Sequence, residues 1–313
     1  MELLNNKDAM LSYIRASKSK QLKEIARSLG LSYDVLKGRL EEMGLIGYVT
    51  LVCSPEKELQ DALPTFHKTR KVIYPYEIDF YNDDLKLGIE FNGIYWHSIE
   101  FKSVYEHQEK CNMAWQNGIK LYHIFEYEWT EKNKPVIISH LRRLAHNLRK
   151  IDGGEVCQID KNTAVKFLYD NTIQYKDFDL AFGYFKDGLK AVLTTQGNEI
   201  TNYAESIDYE VVDGLKALFS FYSQIYSSDL YTYIDFGKYV YDFRELGFKV
   251  EEITEPKCYW FKGHVLTDHE VEFYLRGNTS LSNEEYMRKR GFNRFYDCGM
   301  LKLVTDSNIV SER

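Results

Sequence analysis

The sequence has no stretch approaching the roughly 18 apolar residues that a membrane-crossing helix needs, and its opening segment, MELLNNKDAM, lacks a signal-peptide core. A membrane or secreted protein is therefore not expected, and the cytoplasm is the expected location. Cysteine is sparse: Cys53, Cys111, Cys157, Cys258 and Cys298 form an odd set with no CxxC pair. That spacing fits neither a disulfide framework nor the usual structural zinc motif, and it points to a reducing compartment. A basic excess is also missing, with 40 Lys+Arg against 47 Asp+Glu. Proteins that grip nucleic acid without sequence preference are usually basic, so tight non-specific binding is not expected. The net charge of −7 is uneven: +2 over residues 1–50, zero over 51–150 and −9 over 151–313. A locally basic face belongs, if anywhere, in the first third. Hydrophobic residues at 44% and charged residues at 28% exclude extended disorder. What is abundant is aromatic, with 25 Tyr and 18 Phe.

A length of 313 residues predicts two or three domains. Leu22, Ile25 and Leu29 recur at helical spacing, and Leu36 and Leu40 repeat the pattern after a turn at Gly30. Ser32 suits the N-cap of the second helix. Ala26 before the turn and Leu36 after it fit a helix-turn-helix, which would direct Ser32, Tyr33, Lys37 and Arg39 to the major groove or its phosphates. An ordinary helical hairpin would show the same periodicity. After a short helix beginning at Ser54-Pro55 and a basic connector, HKTRK, the texture changes. VIYPYEIDFY and LKLGIEFNGIYW flank Asn82-Asp83-Asp84 as a hairpin. A helix over 101–117 closed by Gly118, a strand over 119–125 and a helix from Pro135 to about 149 follow. Gly153-Gly154 mark a boundary, and DLAFGYF, GLKAVLTT and DLYTYIDF read as strands of a separate mixed domain. The expected fold is thus α+β and multidomain: 1–50, 51–150 and 151–313.

In the hairpin, alternation puts Ile78 and Phe80 on one face and Glu77, Asp79 and Tyr81 on the other. Glu90 and Asn92 share a face of the second strand. Asp79 and Glu90, eleven residues apart across a short turn, can bring their carboxylates together. Acidic residues are depleted in strands, and two adjacent carboxylates repel unless a cation separates them. Mg²⁺ takes one or two carboxylates plus water and phosphate oxygens. The plainer alternative is that both sit on the wet face of a half-exposed sheet.

The run YPYEIDFYNDDLKLGIEFNGIYWHS, followed by YEHQEKCNMAWQNGIKLYHIFEYEW, resembles the Vsr-like branch of the PD-(D/E)XK nucleases, in particular homing endonucleases of phages and introns of the EDxHD type. The resemblance covers about residues 54–130: an acidic helix with Glu56 and Glu58, the strand Asp, an acidic second strand, an aromatic-His end, an HxxK step (His107, Lys110) and the closing HIFExEW. It implies that Asp79 and Glu90 hold the metal, that His97 stands beside the hydrated metal, and that Glu56 is the helix acid. Asn92 stands where the superfamily's catalytic lysine would be. Asn can neither carry that charge nor accept a proton, so Lys110 is the expected replacement. Phosphodiester hydrolysis needs a cation and a base, and histidine suits the base near neutral pH.

Arg142 and Arg143, with Arg149 and Lys150, form a basic helix end suited to phosphate, although basic residues also complement a helix C-terminus. His123 and Glu126 either line the site or finish a strand. The tail resembles, more faintly, the acetyltransferase-like domain following such nuclease cores, through Asp235, Arg244-Glu245-Leu246-Gly247-Phe248, Pro256, Tyr259-Trp260 and RGFNRFYDCG. It lacks the glycine-rich loop that holds a pyrophosphate at a helix N-terminus, so a binding module is expected and no nucleotide cofactor. The whole predicts a Mg²⁺-dependent DNA endonuclease, with Mn²⁺ as a substitute, acting on double-stranded DNA; a homodimer is left open. The rivals are a DNA-binding regulator with an inactive nuclease fold and a small-molecule acyltransferase in the tail.

Overall fold

A computed structural model describes residues 6–17, 20–49, 55–93, 103–226, 229–275 and 280–305. The chain divides into two compact units, 1–63 and 64–313. No helix among the described residues is long and apolar enough to cross a membrane.

The first unit is helical. Helices α1 (Lys7–Ala16), α2 (Leu22–Ser28), α3 (Tyr33–Glu42) and α4 (Pro55–Ala62) follow one another. Asn6 caps α1 by accepting from the Asp8 and Ala9 N–H groups, and Ser32 caps α3 by accepting from the Val35 N–H. Gly30 turns the chain between α2 and α3 at φ +67°, a conformation costly for any residue with a Cβ. Met10, Ile14, Leu22, Ile25, Ala26, Leu36, Leu40 and Leu45 form one core. The expected helices, turn and cap are therefore all present.

The second unit opens with β1 (His67–Thr69), β2 (Ile78–Asn82), β3 (Leu87–Asn92), α5 (Glu106–Gln116), β4 (Lys120–Phe125) and α6 (Lys134–Leu144). The sheet order is β1-β2-β3-β4, antiparallel except for β4, which runs parallel to β3 after the α5 crossover. The plainer reading of a half-exposed sheet does not hold. Ile78, Phe80 and Tyr81 are all buried, and every residue of β3 is buried. Strands covered on both faces read as apolar runs, which is why Glu90 and Asn92 stand out. The helix from Pro135 ends at Leu144 rather than near 149, because His146 takes φ +55° and the chain leaves the helix. Arg149 and Lys150 lie instead on β5 (Arg149–Ile151).

Then come β6 (Glu155–Gln158), α7 (Lys161–Asn171), β7 (Leu180–Phe185), β8 (Leu189–Gln196), β9 (Glu199–Glu205), β10 (Tyr209–Val211), α8 (Gly214–Ile225) and β11 (Tyr231–Asp235). The chain continues through β12 (Phe248–Ile253), β13 (Cys258–Phe261), β14 (Val265–Thr267), α9 (Asp268–Leu275), α10 (Asn283–Lys289), β15 (Asn293–Tyr296) and β16 (Met300–Thr305). A seven-stranded sheet runs β12-β16-β11-β9-β8-β7-β6. Its one parallel pair, β9 with β11, is registered only at Glu199–Tyr231 and Ile200–Thr232. Residues 254–299, between β12 and β16, carry a three-stranded sheet and two helices around Trp260, Val271 and Met287. The expected boundary at residue 150 falls inside this unit, where β5 pairs with β10 and Arg143 reaches Glu205. The mixed α+β class stands as expected.

Candidate functional site

The β2–β3 ladder runs from Asn82–Leu87 to Phe80–Ile89, so Asp79 and Glu90 stand opposite each other just beyond its end. There the side chains take over from the backbone. The Asp79 N–H donates to Glu90 Oε1 at 3.3 Å, and the Phe91 N–H donates to Asp79 Oδ2 at 3.1 Å. Lys110, one α5 turn beyond His107, places its ammonium 2.6 Å from Glu90 Oε2. Glu90 is 2% exposed and Lys110 8%. Burial pushes the Glu90 carboxyl up to about 7, with Lys110 opposing the rise and Asp79 adding to it. Asp79, by contrast, is partly exposed, and Lys68 Nζ lies 3.4 Å from its Oδ1.

Three expected residues are thus brought together: Asp79, Glu90 and Lys110. The Lys110 ammonium is committed to Glu90 inside the protein, not held out toward solvent. His97 lies outside the described residues, as does the side chain of Glu56 on α4. Asn92 is fully buried, and its amide meets His123 Nδ1 at 3.0 Å. The position where a lysine would stand therefore belongs to a buried amide–imidazole contact. His123 lies on β4, fully buried, with its Nδ1 against the Asn92 amide.

The strand residues also bring in a neighbour that was not singled out. Glu77 receives Lys68 at 2.6 Å and Arg70 at 2.5 Å, and the Lys68 hydrogen bond holds its carboxyl below the usual range. The signal was available: Glu77 shares the Asp79 face, and Lys68 and Arg70 belong to the basic connector.

The Arg143 assignment is corrected. Its guanidinium is buried, bonded to Glu205 and donating to the Tyr209 carbonyl at 2.9 Å. It ties α6 to β9, with both terminal nitrogens of the guanidinium given to protein oxygens. Arg142, one position along, points outward. In the first unit, Ser32 is occupied as a cap and Tyr33 packs against the core. Lys37 lies 4.0 Å from Glu41, and Arg39 lies 2.8 Å from Glu42. Acidic neighbours on the same helix therefore partly offset the two cations offered for DNA.

Where β9 and β11 part, a cavity of about 230 Å³ opens, lined among others by Glu128, His140, Asn202, Asp235 and Lys238. Lys238 bridges Glu128 and Asp235, 3.1 Å from each. Burial alone would lower its pKa, but the two carboxylates overcome this and hold the ammonium well above its usual value. No protein-family model, curated protein or solved structure matches the chain.

Proposed function

We propose that this protein is a Mg²⁺-dependent, site-specific endonuclease of double-stranded DNA with a Vsr-like nuclease core. The observation that carries the reading is the opening of the β2–β3 ladder, where Asp79 and Glu90 meet and Lys110 closes on Glu90. The element order of helix, hairpin, crossover helix and parallel strand supports the same reading.

The two carboxylates fit a hard cation. They supply oxygen donors on neighbouring strands, and a buried Glu90 raised by desolvation and by Asp79 is the group a cation would relieve. Asp79 and Glu90 would hold the ion, and Mn²⁺ would substitute for Mg²⁺. When bound, the ion supplies positive charge to phosphate oxygens and acidity to water. Lys110 favours the ionised form of Glu90 against the desolvation of the sheet. His97 accepts the proton of the attacking water, a role for which an imidazole is matched near neutral pH. The helix-turn-helix supplies target recognition. Residues 151–313 serve as an acetyltransferase-like scaffold for binding; the single parallel pair within an otherwise antiparallel seven-stranded sheet supports that architecture.

A second reading is a DNA-binding regulator on an inactive nuclease fold. It is favoured by Asn92, whose amide turns to His123 where a lysine would stand. Incubating the purified protein with plasmid and genomic DNA, with Mg²⁺ or chelator, and mapping the ends separates the two. Metal-dependent cuts that Asp79→Asn reduces by orders of magnitude, with folding retained, are expected. Equal cleavage by both proteins would remove this site from the chemistry, and binding without cleavage would leave the regulator.

A further inference from the structure

Behind the carboxylate pair, three donors from distant parts of the chain converge. Cys111 on α5, His123 on β4 and Cys298, just before β16, place two thiol sulfurs and an imidazole nitrogen within 4.8 Å of one another. All three are buried, and His123 and Cys298 are completely so. Two buried thiols alone would pack as small apolar groups. The imidazole packs against His107 and Phe125 and takes the Asn92 amide at Nδ1, which fixes its ring beside the two thiols.

We propose that Cys111, His123 and Cys298 form a binding site for a soft divalent cation of the zinc type, distinct from the carboxylate site. The donor chemistry fits: thiolate and imidazole are the ligands that zinc prefers over oxygen. Two thiolates neutralise a divalent charge, so the loaded cluster can stay buried without a net charge. Ideal tetrahedral ligands at about 2.3 Å (S) and 2.0–2.1 Å (N) lie roughly 3.5–3.8 Å apart. The observed triangle therefore needs a contraction of at most about 1.3 Å.

The surroundings are already fixed. The Gln108 amide donates to the Cys298 carbonyl at 3.1 Å and to the Thr254 carbonyl at 2.8 Å, which holds the Cys298 turn against α5. Gly237 lets its backbone lie against the cluster. A Cβ there would come within 2.7 Å of the Cys298 sulfur and 3.2 Å of His123 Cβ. Asn92 holds His123 Nδ1, so coordination would use Nε2. Turned over, the same amide would accept the Nδ1 proton, the outer partner that metal-binding histidines commonly have. Cys111 also lines a cavity of about 300 Å³, which offers the ion a path to the cluster from that side. The bound ion would fasten the turn before β16 to the α5–β4 layer beneath the candidate active site.

The test uses the full-length reduced protein loaded with Co²⁺ and separately with Zn²⁺. One equivalent of cobalt giving the intense near-ultraviolet sulfur-to-metal absorption and visible bands of tetrahedral cobalt is expected. Both signals should persist in Asp79→Asn, disappear in Cys298→Ser, and be displaced by zinc with a rise in Tm. His123→Gln, which keeps both thiols, should weaken zinc binding at least tenfold and covers the case in which Cys298→Ser fails to fold. Absence of the sulfur band, its survival without Cys298, or a Cys111–Cys298 disulfide in place of bound metal would overturn the site. Loss of the band in Asp79→Asn alone would do the same by placing the ion on the carboxylates. None of these outcomes depends on whether DNA is cleaved.

Discussion

At the scale of single residues, the same side-chain type does different work according to what surrounds it. His97 is the proposed proton acceptor, and His97→Ala should slow single-turnover cleavage by roughly 10²–10⁴-fold with DNA affinity unchanged. Lys110→Gln should be slow as well, but for another reason. It leaves Glu90 buried without its cation, which costs about 3–5 kcal/mol of stability, read by denaturant unfolding. A comparable stability loss in His97→Ala would make that histidine structural and end its assignment as base. His140 is a third case. Burial, helped by Arg143 and Lys238, lowers its pKa to about 3, and Tyr122 holds its Nδ1 at 2.9 Å. Its folded value lies below the unfolded one near 6.5, so its contribution to stability is complete above pH 6.5. That contribution falls away as the pH drops toward 3, by about 1.4 kcal/mol per unit. Between pH 6.5 and 5, His140→Gln should lose up to about 2 kcal/mol less than the parent protein. Parallel stability curves for the two would refute the linkage.

At the scale of elements, the helices of the first unit make their own core and their own caps. The recognition role proposed for them is therefore separable from the chemistry. Deleting residues 1–50 should leave metal-dependent cleavage in place while weakening or relaxing the choice of site. Mapped cuts at the same sequence with the same efficiency would end the helix-turn-helix reading. These elements were legible because each rests on neighbours in sequence: leucine spacing, Gly30 at positive φ, and Ser32 three residues before the N–H it caps. The hairpin was legible for a similar reason. A short turn limits the pairing register, so counting along the chain gave a spacing that can bring Asp79 and Glu90 together. Helix ends were less so, since α6 stops at Leu144 on a backbone conformation that its amphipathic pattern does not encode.

At the scale of the whole molecule, residues 64–150 and 151–313 share one compact unit, and the buried Arg143–Glu205 pair is a central tie between them. Glu205 also accepts from the Val211 N–H at 2.7 Å and the Tyr203 hydroxyl at 2.6 Å. Arg143→Met should therefore cost about 3–5 kcal/mol, because a charged carboxylate remains without its partner. Adding Glu205→Gln should restore part of the loss. A single variant within about 0.5 kcal/mol of the parent would show that the pair does not tie the two segments. Aromatic residues extend the same packing: Phe125 and Tyr127 lie against Phe295, which stacks on Tyr259, linking the end of β4 to the small three-stranded sheet. Many of the abundant aromatic rings are thus core.

The sequence by itself determined the mixed α+β class, the helical first unit, the order of hairpin, helix and strand, and a spacing able to bring Asp79 and Glu90 together. Each depends on periodicity or on a short loop, where a side chain's direction follows from its position in the chain. Only the tertiary structure decided that Lys110 closes on Glu90, that Arg143 is buried on Glu205, and that Asn92 belongs to His123. The gathering of Cys111, His123 and Cys298 was likewise decided by tertiary structure. Those contacts join residues between 12 and 187 positions apart. Such partners are selected by which buried polar groups can satisfy one another once the layers pack, and no local spacing records that choice.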